Sequence, residues 1–158
     1  MSEKRIEDIL KERTIGEIVN PKCVQAAPET PVSEALKLMQ ANKSGYIVVA
    51  KNKKVAGVFT ETDYIQKILE QKVDASRPIS EFMNAKTPTL TLQDTVGAAI
   101  DLMGRERSYY IPLVSEKKEL VNVISVRTLI RFLAAFYPAE VYNLPPRPGQ
   151  VSVSPEGG

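Results

Sequence analysis

The chain has 158 residues, 43% apolar and 25% charged, with 21 basic against 19 acidic side chains and a formal net charge of +2. That is the balance of a soluble globular protein, one domain or two small ones sharing a core, and its charge makes no case for a nucleic-acid or membrane-surface binder. There is no histidine and a single cysteine. This excludes Ser-His-Asp and Cys-His catalysis, histidine-ligated metals, an intrachain disulfide and a multi-cysteine zinc site.

The opening stretch "MSEKRIEDILKER" predicts an amphipathic helix with Ile6, Ile9 and Leu10 on one side, packed on the rest of the chain or on a second copy. It lacks a signal peptide's apolar core, and no apolar run approaches the ~18–20 residues of a membrane span. A cytoplasmic protein without a membrane partner is expected. A short strand is predicted around 23–26, with Cys23 as a small buried hydrophobe. In "ETPVSEALKLMQANK", Thr30 is expected to cap a helix whose Val32, Ala35, Leu36 and Met39 share one face. "GYIVVA" reads as a strand, "KNKK" as a hairpin tip and "VAGVFT" as the returning strand. "ETDYIQKILEQK" closes the unit as a helix with Ile65, Ile68 and Leu69 inward. Thr60-Glu61-Thr62-Asp63 fits the capping box [ST]-x-x-[DE], in which threonine and carboxylate each satisfy a backbone N–H of the helix start.

The order β-α-β-β-α then repeats. Residues 14–50 lie on 78–114 at a constant offset of 64. Ile15, Glu17, Asn20 and Lys22 meet Ile79, Glu81, Asn84 and Lys86. Val32, Ala35, Leu38 and Met39 meet Val96, Ala99, Leu102 and Met103; Ser44, Tyr46 and Ile47 meet Ser108, Tyr110 and Ile111. Beyond residue 50 the offset becomes 65, because "KNKKVAG" is answered by the longer "SEKKELVN". An extra residue between two strands is what a surface hairpin tolerates. This is an internal duplication of about 60 residues. It divides the chain into an N-terminal helix (1–13), a first repeat (14–72), a second repeat (73–137) and a Pro/Gly-rich tail (138–158). The tail is expected to be extended or disordered beyond about residue 145.

The paired repeats, the strands "GYIVV" and "YYIPLV" and the ending "GVFTETD" resemble a tandem CBS-domain pair, or Bateman module, over roughly residues 14–136. The resemblance implies an α+β fold in which two β-α-β-β-α repeats pack sheet to sheet about a pseudo-twofold axis, leaving two clefts. It implies that a cleft binds an adenine nucleotide (AMP, ADP or ATP) or, in some members, S-adenosylmethionine or NAD. Asp63 would then accept bonds from the two ribose hydroxyls, with Thr60, Thr62 and the helix-start N–H groups meeting phosphate. Lys22, Cys23 and Val24 would read the base through their backbone, and Gly45, Tyr46 and Ile47 would line the cleft, although Ile47 reads better as sheet core. Arg127, two residues beyond the second repeat's Ser125, would meet phosphate with its forked guanidinium. Arg105 and Arg107 read as surface charges that could add positive potential.

The second repeat departs from this pattern. "NVISVRTL" keeps Ser125 in place of Thr60, but Thr128 stands where Asp63 stands and cannot accept two bonds as a carboxylate does. Asn122 replaces Gly57; asparagine tolerates positive φ, so the turn is expected to survive. One good site per chain, defined by Asp63, is the expectation. The resemblance further implies a homodimer that is not an enzyme, needs no cofactor, and regulates an unidentified partner protein through its nucleotide ligand. A dimerisation or scaffold module with vestigial clefts is the other reading.

Overall fold

The computed structural model describes residues 3–136; the tail, 138–158, lies outside the described residues. Helix α1 (Glu3–Glu12) leads into a 3-10 turn at Ile15–Glu17. The first repeat then runs β1 (Gln25–Ala26), α2 (Val32–Asn42), β2 (Tyr46–Lys51), β3 (Lys54–Thr60) and the short α3 (Glu61–Asp63), which continues as a π-helix over Tyr64–Leu69. A second 3-10 turn at Ile79–Glu81 opens the second repeat, followed by α4 (Val96–Glu106), β4 (Tyr110–Val114), β5 (Leu120–Ser125) and α5 (Val126–Ala134). Among the described residues no helix is long and apolar enough to cross a membrane.

The repeats differ where their sequences differ. In the first sheet β2 is central, parallel to β1 and antiparallel to β3. The second sheet has only β4 and β5, and the expected leading strand is reduced to a single bridge, Leu90 to Leu113. Pro112 is the reason. In the first repeat the Val48 N–H donates to the Val24 carbonyl at 2.9 Å. The matching position, Pro112, has no N–H, so the ladder loses a rung.

Helix starts also differ from expectation. Pro31, not Thr30, occupies the N-cap of α2, with no side-chain cap bond, while its counterpart Thr95 caps α4 by accepting the Ala98 N–H at 3.1 Å. The helix after β3 buries only Ile68; Ile65 and Leu69 are about half exposed, not inward.

Each repeat has its own core, and each core borrows from the other repeat. Val32, Ala35, Met39, Ile47, Val49, Phe59 and Ile68 cluster with Ile79 of the second repeat's leading turn. Val96, Ala99, Met103, Ile111, Leu113, Ile124 and Leu129 cluster with Ile15 of the first repeat's leading turn, and Leu10 of α1 packs on them. Backbone bonds fasten the exchange: Ile15 N–H to Asp94 O and Val96 N–H to Arg13 O on one side, Ile79 N–H to Thr30 O and Val32 N–H to Arg77 O on the other, each 2.9 Å. The sequence boundary near 72 is thus not a boundary in space. Helix α1 packs on the second repeat of its own chain, and the Arg13 guanidinium at its end lies 5.3 Å from the centre of the Phe132 ring.

Candidate functional site: a cleft between the repeats

The duplication places equivalent residues on either side of a pseudo-twofold axis. Tyr46 begins β2, Tyr110 begins β4, and their rings meet with centroids 4.9 Å apart and planes 30° apart. Beside this pair opens a cleft of about 1230 Å³ lined by both repeats. The first repeat supplies Lys22 and Val24 ahead of β1, Lys43 to Tyr46 at the end of α2, and Glu61; the second supplies Ser125, Arg127 and Thr128 from the start of α5 and Arg131 from its last turn. The Tyr46 hydroxyl accepts the Val24 backbone N–H at 3.3 Å, and burial pushes its phenol above the ordinary value. Gly45 sits against two side-chain tips: a Cβ there would lie 2.6 Å from the Glu61 carboxylate and 2.8 Å from the Tyr110 hydroxyl, so both would have to shift.

Five sequence-predicted residues, Lys22, Val24, Gly45, Tyr46 and Arg127, line this cleft. Ile47 does not; it is fully buried in the first core. Cys23 does not line it either, and burial pushes its thiol up to about 11. At pH 8 the thiol should therefore react with a disulfide reagent on the order of a hundredfold more slowly than an unburied cysteine. Labelling within threefold of the denatured chain's rate would show instead that the residue is open.

Thr60, Thr62 and Asp63 are likewise not among the lining residues. Helical spacing explains it. Glu61, Tyr64 and Ile65 share the face turned to the cleft. Thr60 and Asp63 are turned to each other: the Thr60 N–H donates to Asp63 Oδ2 at 2.9 Å and the Asp63 N–H to Thr60 Oγ1 at 3.2 Å, closing the expected capping box. Asp63 Oδ1 also pairs with Lys67 Nζ at 3.0 Å. The sequence reading placed Asp63 with the strand of its own repeat; in the structure the second repeat's Ser125 and Thr128 face that strand. There Ser125 Oγ caps α5 through the Thr128 N–H at 3.2 Å, and the two hydroxyls lie 3.2 Å apart.

The Gly57-to-Asn122 exchange sets the two halves apart by close approach and not by φ, since neither residue has a left-handed backbone. A Cβ on Gly57 would lie 2.6 Å from the Asn84 carbonyl oxygen, and its absence lets Val58 and Asn84 exchange two backbone bonds of 3.1 and 2.9 Å. In the other half, Asn122 replaces that direct bridge. Its Nδ2 donates to the Asn20 carbonyl at 2.7 Å and its Oδ1 accepts the Val123 N–H at 2.8 Å. Asn20 and Val123 accordingly line the large cleft. The sequence reading did not single out Asn20, Lys43, Glu61, Tyr110 or Arg131; the 64-residue offset pairing Tyr46 with Tyr110 was the signal available for one of them.

The family model for the CBS domain matches residues 15–70 and again 79–135. The chain belongs to the CBS-domain family. This CBS pair is 25% identical over 120 residues to an uncharacterized 17.7 kDa protein of Acidianus ambivalens, spanning 75% of this chain and 72% of that one. Among solved structures, a CBS domain protein from Pyrobaculum aerophilum complexed with AMP superposes with a TM-score of 0.69 at 23% identity, covering 77% of this chain and 98% of the other. The CBS domain pair of protein MJ0100, in complex with 5-methylthioadenosine and S-adenosyl-L-methionine, gives a TM-score of 0.69 at 19% identity over 76% and 98% of the two chains. At these identities the two superpositions carry the fold.

Proposed function

We propose that this CBS pair is a regulatory module that takes an adenosine-containing ligand between its repeats and transmits occupancy to a partner protein, without catalysis. The observation that carries the reading is the cleft of about 1230 Å³ built jointly by both repeats, in a fold whose solved relatives hold AMP or S-adenosyl-L-methionine. A ligand there would lie against Tyr46, with Lys22, Val24 and Gly45 on one side and Arg127 on the other. Cys23 would contribute backbone only. Thr60, Thr62 and Asp63 would belong to a second, pseudo-symmetric cleft, formed with the second repeat's leading segment. In that segment Thr87, the counterpart of Cys23, has a buried hydroxyl with no hydrogen-bond partner among the described residues.

The reading includes a cytoplasmic homodimer. Ile65, Leu69, Tyr109 and Ile130 are each about half exposed or more, and they supply apolar area for a second copy. One observation favours the scaffold reading: the Asp63 carboxylate already has partners within its own helix start, Thr60 on Oδ2 and Lys67 on Oδ1.

Thermal unfolding with adenosine, AMP, ADP, ATP, NAD and S-adenosylmethionine separates the two. A ligand specific for the folded chain stabilises it by about 2.7 kcal/mol at a hundred times its dissociation constant. A shift with at least one compound is expected. No shift with any of them would leave the scaffold.

A further inference from the structure

A second groove, of about 500 Å³, lies between α4 and α5 on the second repeat. Met103 of α4 and Leu129 of α5 are buried at its floor, while Ile130 and Tyr109 line it at 62% and 55% exposure. Among the described residues Ile130 is the most exposed of the large apolar side chains. Gly104, in the last turn of α4, widens the groove. A Cβ there would meet nothing within 4 Å, so no described neighbour requires a glycine, and its counterpart in the first repeat is Gln40. A glycine weakens a helix; what it leaves here is room. Helix α1 covers only the start of α4, where a Cβ on Gly97 would lie 3.0 Å from the Leu10 carbonyl oxygen. Arg107, just past α4, also lines the groove and has no ion-pair partner among the described residues.

We propose that residues 139–144 of the same chain, "AEVYNL", fold back into this groove, with Tyr142 and Leu144 set beside Gly104. The place where the described chain stops decides for its own tail. Leu133, in the last turn of α5, lines the groove, and the described residues end at Phe136. Pro138 has no N–H for a further helical turn. From Leu133 back to Val126 the groove runs about 10 Å by helical rise, and six extended residues span about 20 Å. Its far end holds Tyr109, whose carbonyl accepts the Val126 N–H at 2.9 Å, and Arg107. In an extended segment Tyr142 and Leu144 point to one side, and Tyr142 brings an aromatic face within reach of the Arg107 guanidinium. A segment tethered this closely is present at an effective concentration on the order of millimolar, which a second copy at micromolar concentration does not match. Docking does not depend on a ligand between the repeats. It takes Tyr109 and Ile130 out of the surface offered to a second copy and leaves Ile65 and Leu69.

Hydrogen exchange of the full chain, read by mass spectrometry, tests this against a synthetic peptide of residues 137–148. In the chain the amides of 139–144 should exchange at least about tenfold more slowly than in the peptide, and equally at two protein concentrations about fiftyfold apart. Gly104→Trp fills the groove from a position with open space around it, so the melting temperature should hold while the protection is lost. Tyr142→Asp/Leu144→Asp, which alters no described residue, should lose the same protection and leave exchange in the two cores unchanged. Peptide-like exchange of 139–144 in the parent chain would overturn the proposal. Protection that fades on dilution would overturn docking within one chain in favour of a second copy. Protection that survives Gly104→Trp would overturn the assignment to this groove, and protection that survives the tail variant would overturn the role of Tyr142 and Leu144.

Discussion

Phe59→Ala is expected to cost about 3–5 kcal/mol, a large fraction of the ~5–15 kcal/mol that holds a typical domain together. Phe59 heads the fully buried side chains by size and has no solvent exposure. It faces Ile47 across the β2–β3 ladder and sits in the cluster that also receives Ile79 from the second repeat. Truncation would leave a cavity where three elements meet, and rigid strands on either side cannot collapse into it. Phe59 also immediately precedes Thr60, so a loosened β3 would release the start of the following helix. Urea unfolding should show a lower midpoint at unchanged slope. A loss below about 1 kcal/mol would mean that the site repacks and is not the keystone its burial indicates.

Gly57→Ala should cost about 1–3 kcal/mol although it adds only one methyl group. The new Cβ would lie 2.6 Å from the Asn84 carbonyl oxygen and 2.9 Å from Met83 Sδ. A methionine tip can swing aside; the Asn84 carbonyl, which accepts the Val58 N–H while the Asn84 N–H donates to Val58 O, cannot move without breaking the Val58–Asn84 bridge. The second repeat shows the alternative. With Asn122 at the matching position, a side-chain amide spans the gap between Asn20 and Val123. Urea unfolding measures the loss, and a variant within about 0.5 kcal/mol of the parent would show that the two segments have room to separate.

Much of the architecture was legible because it is written twice. The 64-residue offset aligned turns, helices and strands, and the family follows from that pattern. What escaped was decided by single atoms or by contacts across the axis. Pro112 deletes a rung through one missing N–H, which hydrophobic patterning does not register. Pro31 takes the cap expected of Thr30 because the chain is already turned by its bonds to the 75–79 segment. Ile65 and Leu69 look inward on a helical wheel, yet that segment is π-helical, with N–H groups of Glu70 and Val73 reaching back five residues. At the cleft, Lys22, Val24, Gly45 and Tyr46, and Arg127 named from the family's spacing to Ser125, are among the lining residues. Asp63 was placed with its own repeat's strand because they are neighbours in sequence. The pseudo-twofold axis makes opposite repeats the neighbours in space.

The exchange of leading turns has a consequence for how such a chain arose. Ile15 completes the core of the second repeat and Ile79 that of the first, so the stretch that was copied is out of phase with the stretch that folds. A solitary ancestor would have had its own leading turn to dispose of. Two identical ancestral copies could each complete the other by trading that turn, forming a symmetric pair before any gene fusion. Fusion of two such copies would turn an exchange between molecules into one within a single chain. Once the two positions were separately encoded, Asp63 and Thr128, or Gly57 and Asn122, were free to diverge, which no symmetric assembly of identical copies allows.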